Sequence, residues 1–238
     1  MHTLKNIKII LGITYILVIS IFLWFLFKNF SIQDFTSYQI IKENMDTLKN
    51  LKESNILFSS ILFILFTVIW IFLLGFALPI FLFGGFLFGK WLGTILVVLS
   101  LSLGATLFYM FANFFLKEFI KEKLSYKYHY LISRFEKNEF LYFLVYRFIG
   151  GIPFVISNLI PVLFNIKKRN FFFGTLIGMA PQLFVGTSLG SGIEKVIQDN
   201  VEAPTFFELI FSPDIYIPII GFLILVFLGI LLRKKIIN

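Results

Sequence analysis

No cysteine occurs among the 238 residues. Disulfide frameworks, thiolate nucleophiles, cysteine-bound zinc and iron–sulfur clusters are excluded together by that absence. Charge is nearly as scarce, at 14% of residues against about 25% in a soluble domain. No acid lies between Glu53 and Glu118, or between Glu139 and Glu194. The two histidines, His2 and His129, pair with no Ser or Asp constellation and form no metal-ligand spacing. Neither an enzyme, a metal site nor a cofactor is expected.

What fills the chain is apolar. Hydrophobic residues make up 58%, Phe alone occurs 34 times, and the mean hydropathy is +0.92. This is the composition of a polytopic membrane protein. The net charge of +8 would suggest nucleic acid in a soluble protein. Here positive-inside topology accounts for it, so the expected partners are membrane lipids and not nucleic acid.

Uncharged stretches set the spans. Ile9 to Phe27 is 19 residues long and nearly matches the ~30 Å hydrocarbon core. It is read as an uncleaved anchor, because Trp24 to Lys28 offers no small-residue cleavage site. Ser54 to Gly89 has 36 uncharged residues, too long for one span and too short for two plus a turn. It predicts a hairpin that enters and returns, with its break at Ala77-Leu78-Pro79 and with Gly84 and Gly85 beyond. Phe140 to Ile166 is a second such stretch, interrupted by Arg147 and broken at Gly150, Gly151, Pro153 and Pro161. Spans are expected at 91–116, 170–193 (with Pro181 inside) and 215–232. Irregular backbone at membrane depth must be covered by protein or line a cavity, so both hairpins should lie inside the fold.

Basic residues orient these pieces. If 54–89 dips in from outside and 140–166 from inside, 14 Lys and Arg lie in the cytoplasm and 6 outside. Glu194, Asp199, Glu202, Glu208 and Asp214 mark 193–213 as an outer loop. The fold class is thus an all-α membrane protein built as an inverted repeat of hairpin plus transmembrane helix. An N-terminal anchor with an outer amphipathic segment (1–55) precedes the repeat (56–192), and an outer loop with a last transmembrane helix (193–238) follows it. Both termini are cytoplasmic, in a membrane of bacterial inner type. Between the halves, 117–140 reads as a basic amphipathic helix on the cytoplasmic leaflet.

Arg147 is the one charge deep in an apolar stretch, and no intramembrane acid is available to pair with it. It either snorkels toward headgroups or meets a ligand phosphate or backbone carbonyls. Asn158 and Gln182 are the amides at similar depth, and with Arg147 they are the candidate substrate-binding residues. Gly174, Gly178, Gln182, Gly186 and Gly190 recur every four residues, and Gly85, Gly89 and Gly93 do the same. Such spacing lets helices pack closely. Gly104 and Pro181 join the candidate packing positions.

The residues Leu78-Pro79, Gly84-Gly85, Phe88-Gly89, Gly93 and Gly104-Ala105 form one pattern. Arg147, Pro153-Phe154, Asn158, Phe171, Thr175, Gly178, Pro181 and Leu189-Gly190-Ser191 form a second. Together they resemble the DedA superfamily, also called the VTT or SNARE-associated family, and within it the Tvp-like branch, over about residues 60–192. Gly150 and Val162 stand where that branch usually has proline and glycine. The acids around the first hairpin that make DedA proteins resemble proton-coupled transporters are absent here. The resemblance implies paired re-entrant hairpins and movement of phospholipids or lipid-linked phosphates between leaflets, by a flippase or scramblase. Small-solute or ion transport, and membrane organisation without transport, are the alternative functions.

Overall fold

A computed structural model describes residues 2–29, 47, 50, 55–124, 138–199 and 205–237. The outer amphipathic segment at 31–53, most of the cytoplasmic helix expected at 117–140, and Glu202 of the outer loop lie outside the described residues. Every regular element among those described is a helix. They are α1 (His2–Asn29), α2 (Ile56–Leu73), α3 (Leu78–Leu124), α4 (Glu139–Ile149), α5 (Phe154–Leu159), α6 (Pro161–Phe164), α7 (Lys168–Asp199), α8 (Phe206–Phe211) and α9 (Pro213–Ile237). Four helices are long and apolar enough to cross a membrane, at Ile7–Phe25, Ile56–Leu73, Leu78–Glu118 and Lys168–Asp199, and Pro213–Leu228 is a shorter apolar helix. The chain divides into two units, Met1–Thr47 and Leu48–Asn238. The first contains α1, whose Lys28 Nζ lies 4.8 Å from the Trp24 ring centroid.

The second unit is built from two similar runs of backbone. Each begins at an asparagine cap. Asn55 accepts from the Phe58 amide at 3.0 Å and starts α2, and Asn138 accepts from the Leu141 amide at 3.3 Å and starts α4. Each first helix ends at glycine in the left-handed region, Gly75 (φ 72°) in one run, Gly150 (φ 62°) and Gly151 (φ 76°) in the other. A return arm follows, at 78–88 and at 154–164. Each arm stops at another left-handed residue, Gly89 (φ 74°) and Asn165 (φ 47°). From Gly75 to Gly89 is 14 residues, and from Gly151 to Asn165 is also 14.

Contacts fix the directions. Gly93 faces Gly84 and Gly85 across the Gly89 kink, so 78–88 runs antiparallel to 90–124, whereas Ile71 meets Gly104 and Phe72 stacks on Phe111, so α2 runs parallel to it. In the second run Phe143 meets Gly174 and Arg147 meets Gly178, so α4 runs parallel to α7. The two long helices cross the centre antiparallel. Tyr109 stacks on Phe171 at 4.3 Å while Thr94 Oγ1 meets Thr187 Oγ1 at 2.6 Å. Around that crossing sits the buried core, with Ile71, Val97, Leu101, Tyr109, Phe143 and Phe171 fully inside. Offset ring pairs of this kind add about 0.5–1.5 kcal/mol beyond their burial.

Several expected break positions are corrected. Gly84 and Gly85 are helical and serve packing, because the reversal needs positive φ and Gly75 supplies it upstream. Pro79 sits in the first turn of α3, where its missing donor costs nothing. Pro161 opens α6 without redirecting the chain, since Ile160 before it is already helical. Gly89, expected as a packing residue, is the kink itself, and no atom lies within 4 Å of where its Cβ would be. Pro181 lies inside the continuous helix α7.

Candidate functional site

The two breaks, 74–77 and 150–153, face each other. A methyl on Gly75 would lie 2.7 Å from the Val155 side chain. Between them is a cavity of about 540 Å³, walled by both breaks, by Phe81 and Leu82 of the first return arm, and by one face of α7 from Met179 to Leu189. Most of the wall is apolar. Its side-chain polar groups are Tyr146, Arg147, Ser157 and Gln182.

Arg147 is only 3% exposed. It sits one turn before the break because α4 ends at Gly150, and α7 can approach its stem because position 178 is glycine. Its Nε donates to Thr175 Oγ1 at 3.1 Å, one terminal nitrogen to Ser157 Oγ at 2.5 Å, and the other to Asn158 Oδ1 at 2.5 Å. The rings of Phe143, Phe171 and Phe154 lie 5.1, 4.9 and 5.8 Å from the guanidinium carbon. The side chain therefore does not snorkel. Three of the five guanidinium N–H groups are satisfied by neutral oxygens, and no carboxylate is among its partners in the described residues. Asn158 Nδ2 beside it is buried without a partner.

Gln182 works differently from a ligand-facing amide. Its Nε2 donates to the carbonyls of Phe148 and, at 3.3 Å, Arg147. Those are carbonyls that α4 would leave orphaned at its broken end. Gly150 is required there, since a Cβ would lie 2.8 Å from the same amide. The first break is tied by Trp70, whose Nε1 donates to the Phe76 carbonyl at 2.8 Å. Arg147 and Asn158 thus meet in one network, and Gln182 joins it through backbone. Gly93, Gly104, Gly174, Gly178, Gly186 and Gly190 all stand where another element presses against their Cα.

Three contributors escaped the sequence reading. Ser157 and Thr175 complete the acceptor set of Arg147, and Glu139 closes the base of the second hairpin. Glu139 Oε1 accepts from the Lys167 amide and from Asn170 Nδ2, both at 2.8 Å. The signal for Ser157 and Thr175 was their position: small hydroxyls at the depth of an unpaired cation.

Residues 77–192, the stretch that holds both breaks and the cavity, match the family described as the VTT domain. The chain carries a VTT domain. With its long apolar helices, it is a membrane protein. The VTT domain extends from the first break through Gly192, so α1, α2 and α9 lie outside it. The chain is similar to the protein named Transmembrane protein 41 homolog of Caenorhabditis elegans, with 27% identity over 179 residues, 71% of this chain and 68% of that protein. No solved structure matches the chain.

Proposed function

We propose that this VTT-domain protein moves phospholipids or lipid-linked phosphates between leaflets, as a flippase or scramblase, with no catalysis of its own. The two breaks then lie near the bilayer midplane. Each return arm is 11 residues, about 16 Å of helix, which is half of a ~30 Å core. A lysine follows each arm's end directly, Lys90 after Gly89 and Lys167 close after Asn165, as at a membrane boundary. With the long helices antiparallel, the hairpins would enter from opposite faces, the inverted arrangement that transporters use to place a site at mid-depth. On this reading both termini are cytoplasmic.

The observation that carries the proposal is Arg147: a cation at the cavity wall, in apolar surroundings, with no carboxylate partner and two N–H groups to spare. A phosphate oxygen is the acceptor such a group lacks. Asn158 Nδ2 would be the neighbouring donor. Gln182 holds the break open through backbone and does not itself reach the ligand.

The test is reconstitution into liposomes with a headgroup-fluorescent phospholipid and an impermeant quencher. The wild-type protein should accelerate exchange between leaflets, and Arg147→Gln, verified as folded by circular dichroism, should slow it. Absence of acceleration by the wild type, or equal rates in both proteins, would refute the proposal.

A further inference from the structure

One wall of the cavity differs in construction from the others. The return arm 78–88 and α7 interlock through backbone at Gly85 and Gly190, and α4 is pinned to α7 by the Arg147 network. Helix α9, outside the VTT domain, contributes Phe222 to the wall. That side chain is 47% exposed, and Leu223, Ile224 and Phe227 around it are exposed as well.

α9 is held at its base. Ile215 is buried, and Lys195 Nζ of α7 donates to Asp214 Oδ2 at 2.8 Å. The Asp214 carbonyl presses on Gly192, where a methyl would come within 2.8 Å of the carbonyl carbon. Pro218 sits between that base and Phe222. It has no N–H for the Asp214 carbonyl four residues earlier, which leaves that carbonyl to face Gly192 and makes this the weakest point of the helix. Further along, no backbone interlock exists: a Cβ on Gly221 would find Val185 at an ordinary 3.7 Å.

We infer that α9 is a lateral door to the cavity, hinged at Pro218, latched by Lys195–Asp214 and closed by Phe222, through which a lipid acyl chain enters from the membrane. The wall behind Phe222 is Leu183, Val185, Gly186 and Leu189. It suits a hydrocarbon chain and offers nothing to a headgroup. The inference rests on the lipid-transport reading for its substrate, but the movement of the door is measurable by itself.

A nitroxide on Met179→Cys, in an otherwise cysteine-free chain, reports from inside the cavity. The protein is placed in liposomes of phosphatidylcholine and phosphatidylglycerol. Collision of the label with oxygen, which partitions into the membrane, is compared with collision with a water-soluble nickel complex. Asp214→Asn should raise oxygen access by roughly 1.4- to 5-fold, the range an exposed ion pair controls. The exchange Lys195→Asp with Asp214→Lys should restore the low value, which a merely loosened fold would not do. Phe222→Ala should raise oxygen access with the latch intact. Unchanged oxygen access in Asp214→Asn and Phe222→Ala, or increased access for the nickel complex alone, overturns the door. Lipid exchange is read in the same liposomes with unlabelled protein. Failure of the wild type to exchange lipid overturns the transport reading, while the label still decides whether α9 opens.

Discussion

Gly85→Ala and Gly190→Ala set two effects of opposite sign against each other. Both glycines are inside helices, where alanine is favoured by about 1 kcal/mol. Both also lie at one crossing. A methyl on Gly85 would sit 2.7 Å from the carbonyl carbon and Cα of Thr187, and one on Gly190 would sit 2.9 and 3.0 Å from the same atoms of Leu82, with the carbonyl oxygens closer still. Ordinary contact begins at 3.4 Å. Backbone cannot swing aside as a flexible side chain can, so the arm and α7 must part by up to about 1 Å. Overpacking of this sort costs about 1–3 kcal/mol, which outweighs propensity and leaves each variant destabilised by roughly 1–2 kcal/mol. Once either methyl has separated the helices, the second meets little resistance. The double variant should therefore cost less than the sum by at least about 0.5 kcal/mol. Gly221→Ala is the control, because its methyl has room; it should be neutral or stabilising by up to about 1 kcal/mol. The measurement is reversible unfolding in mixed micelles followed by circular dichroism. Stabilisation by either single substitution, or strict additivity of the pair, would refute the reasoning.

Arg147→Lys keeps the charge but cannot span Ser157, Asn158 and Thr175 at once. Stability should fall by roughly 2–4 kcal/mol in the same unfolding assay, because buried acceptors are left unpaired. Gln182→Leu uncaps the Phe148 carbonyl at the break and should cost about 1–3 kcal/mol, with faster amide hydrogen exchange confined to the end of α4. Asn165→Ala, in left-handed backbone, should cost about 1–2 kcal/mol, whereas Asn165→Gly should unfold close to the wild-type midpoint.

Much of the frame was legible because charge is so rare. Lys90 and Glu139 bound the two overlong stretches, and Arg147 announces the site by being the only ionisable group within either. The break in the first hairpin was misplaced by two residues for a physical reason. Proline is the more conspicuous letter, but proline at the first turn starts a helix, while the reversal depends on φ that only glycine adopts freely. The repeat was legible in direction and not in residue identity. Pairing Pro79 with Pro153, or Gly93-Thr94 with Gly174-Thr175, implies spacings of 74 and 81 residues. The backbone repeats at 76, carried by Gly75 with Gly151 and Gly89 with Asn165. Gln182 could not be read correctly from sequence, since its partners are backbone carbonyls exposed only by a break in another helix.

The repeat also explains why the cavity has one polar wall. Four residues before Gly75 stands Ile71, and four before Gly151 stands Arg147. Each packs its Cβ on a glycine of the following long helix, Ile71 on Gly104 at 2.8 Å and Arg147 on Gly178 at 2.7 Å, so the fold treats the two positions alike. What differs is every partner. Ser157 and Asn158 on the second return arm correspond to Phe81 and Leu82 on the first, and Thr175, three residues before Gly178, corresponds to Leu101, three before Gly104. The cation and its three acceptors exist as a set on one hairpin, and four apolar residues replace them as a set on the other. A lone charge at position 71 would have no acceptor within its own half and would carry the full penalty of burial. The polarity of the site is therefore a property of four positions together, and the two-fold frame supplies their geometry without requiring two equal sites.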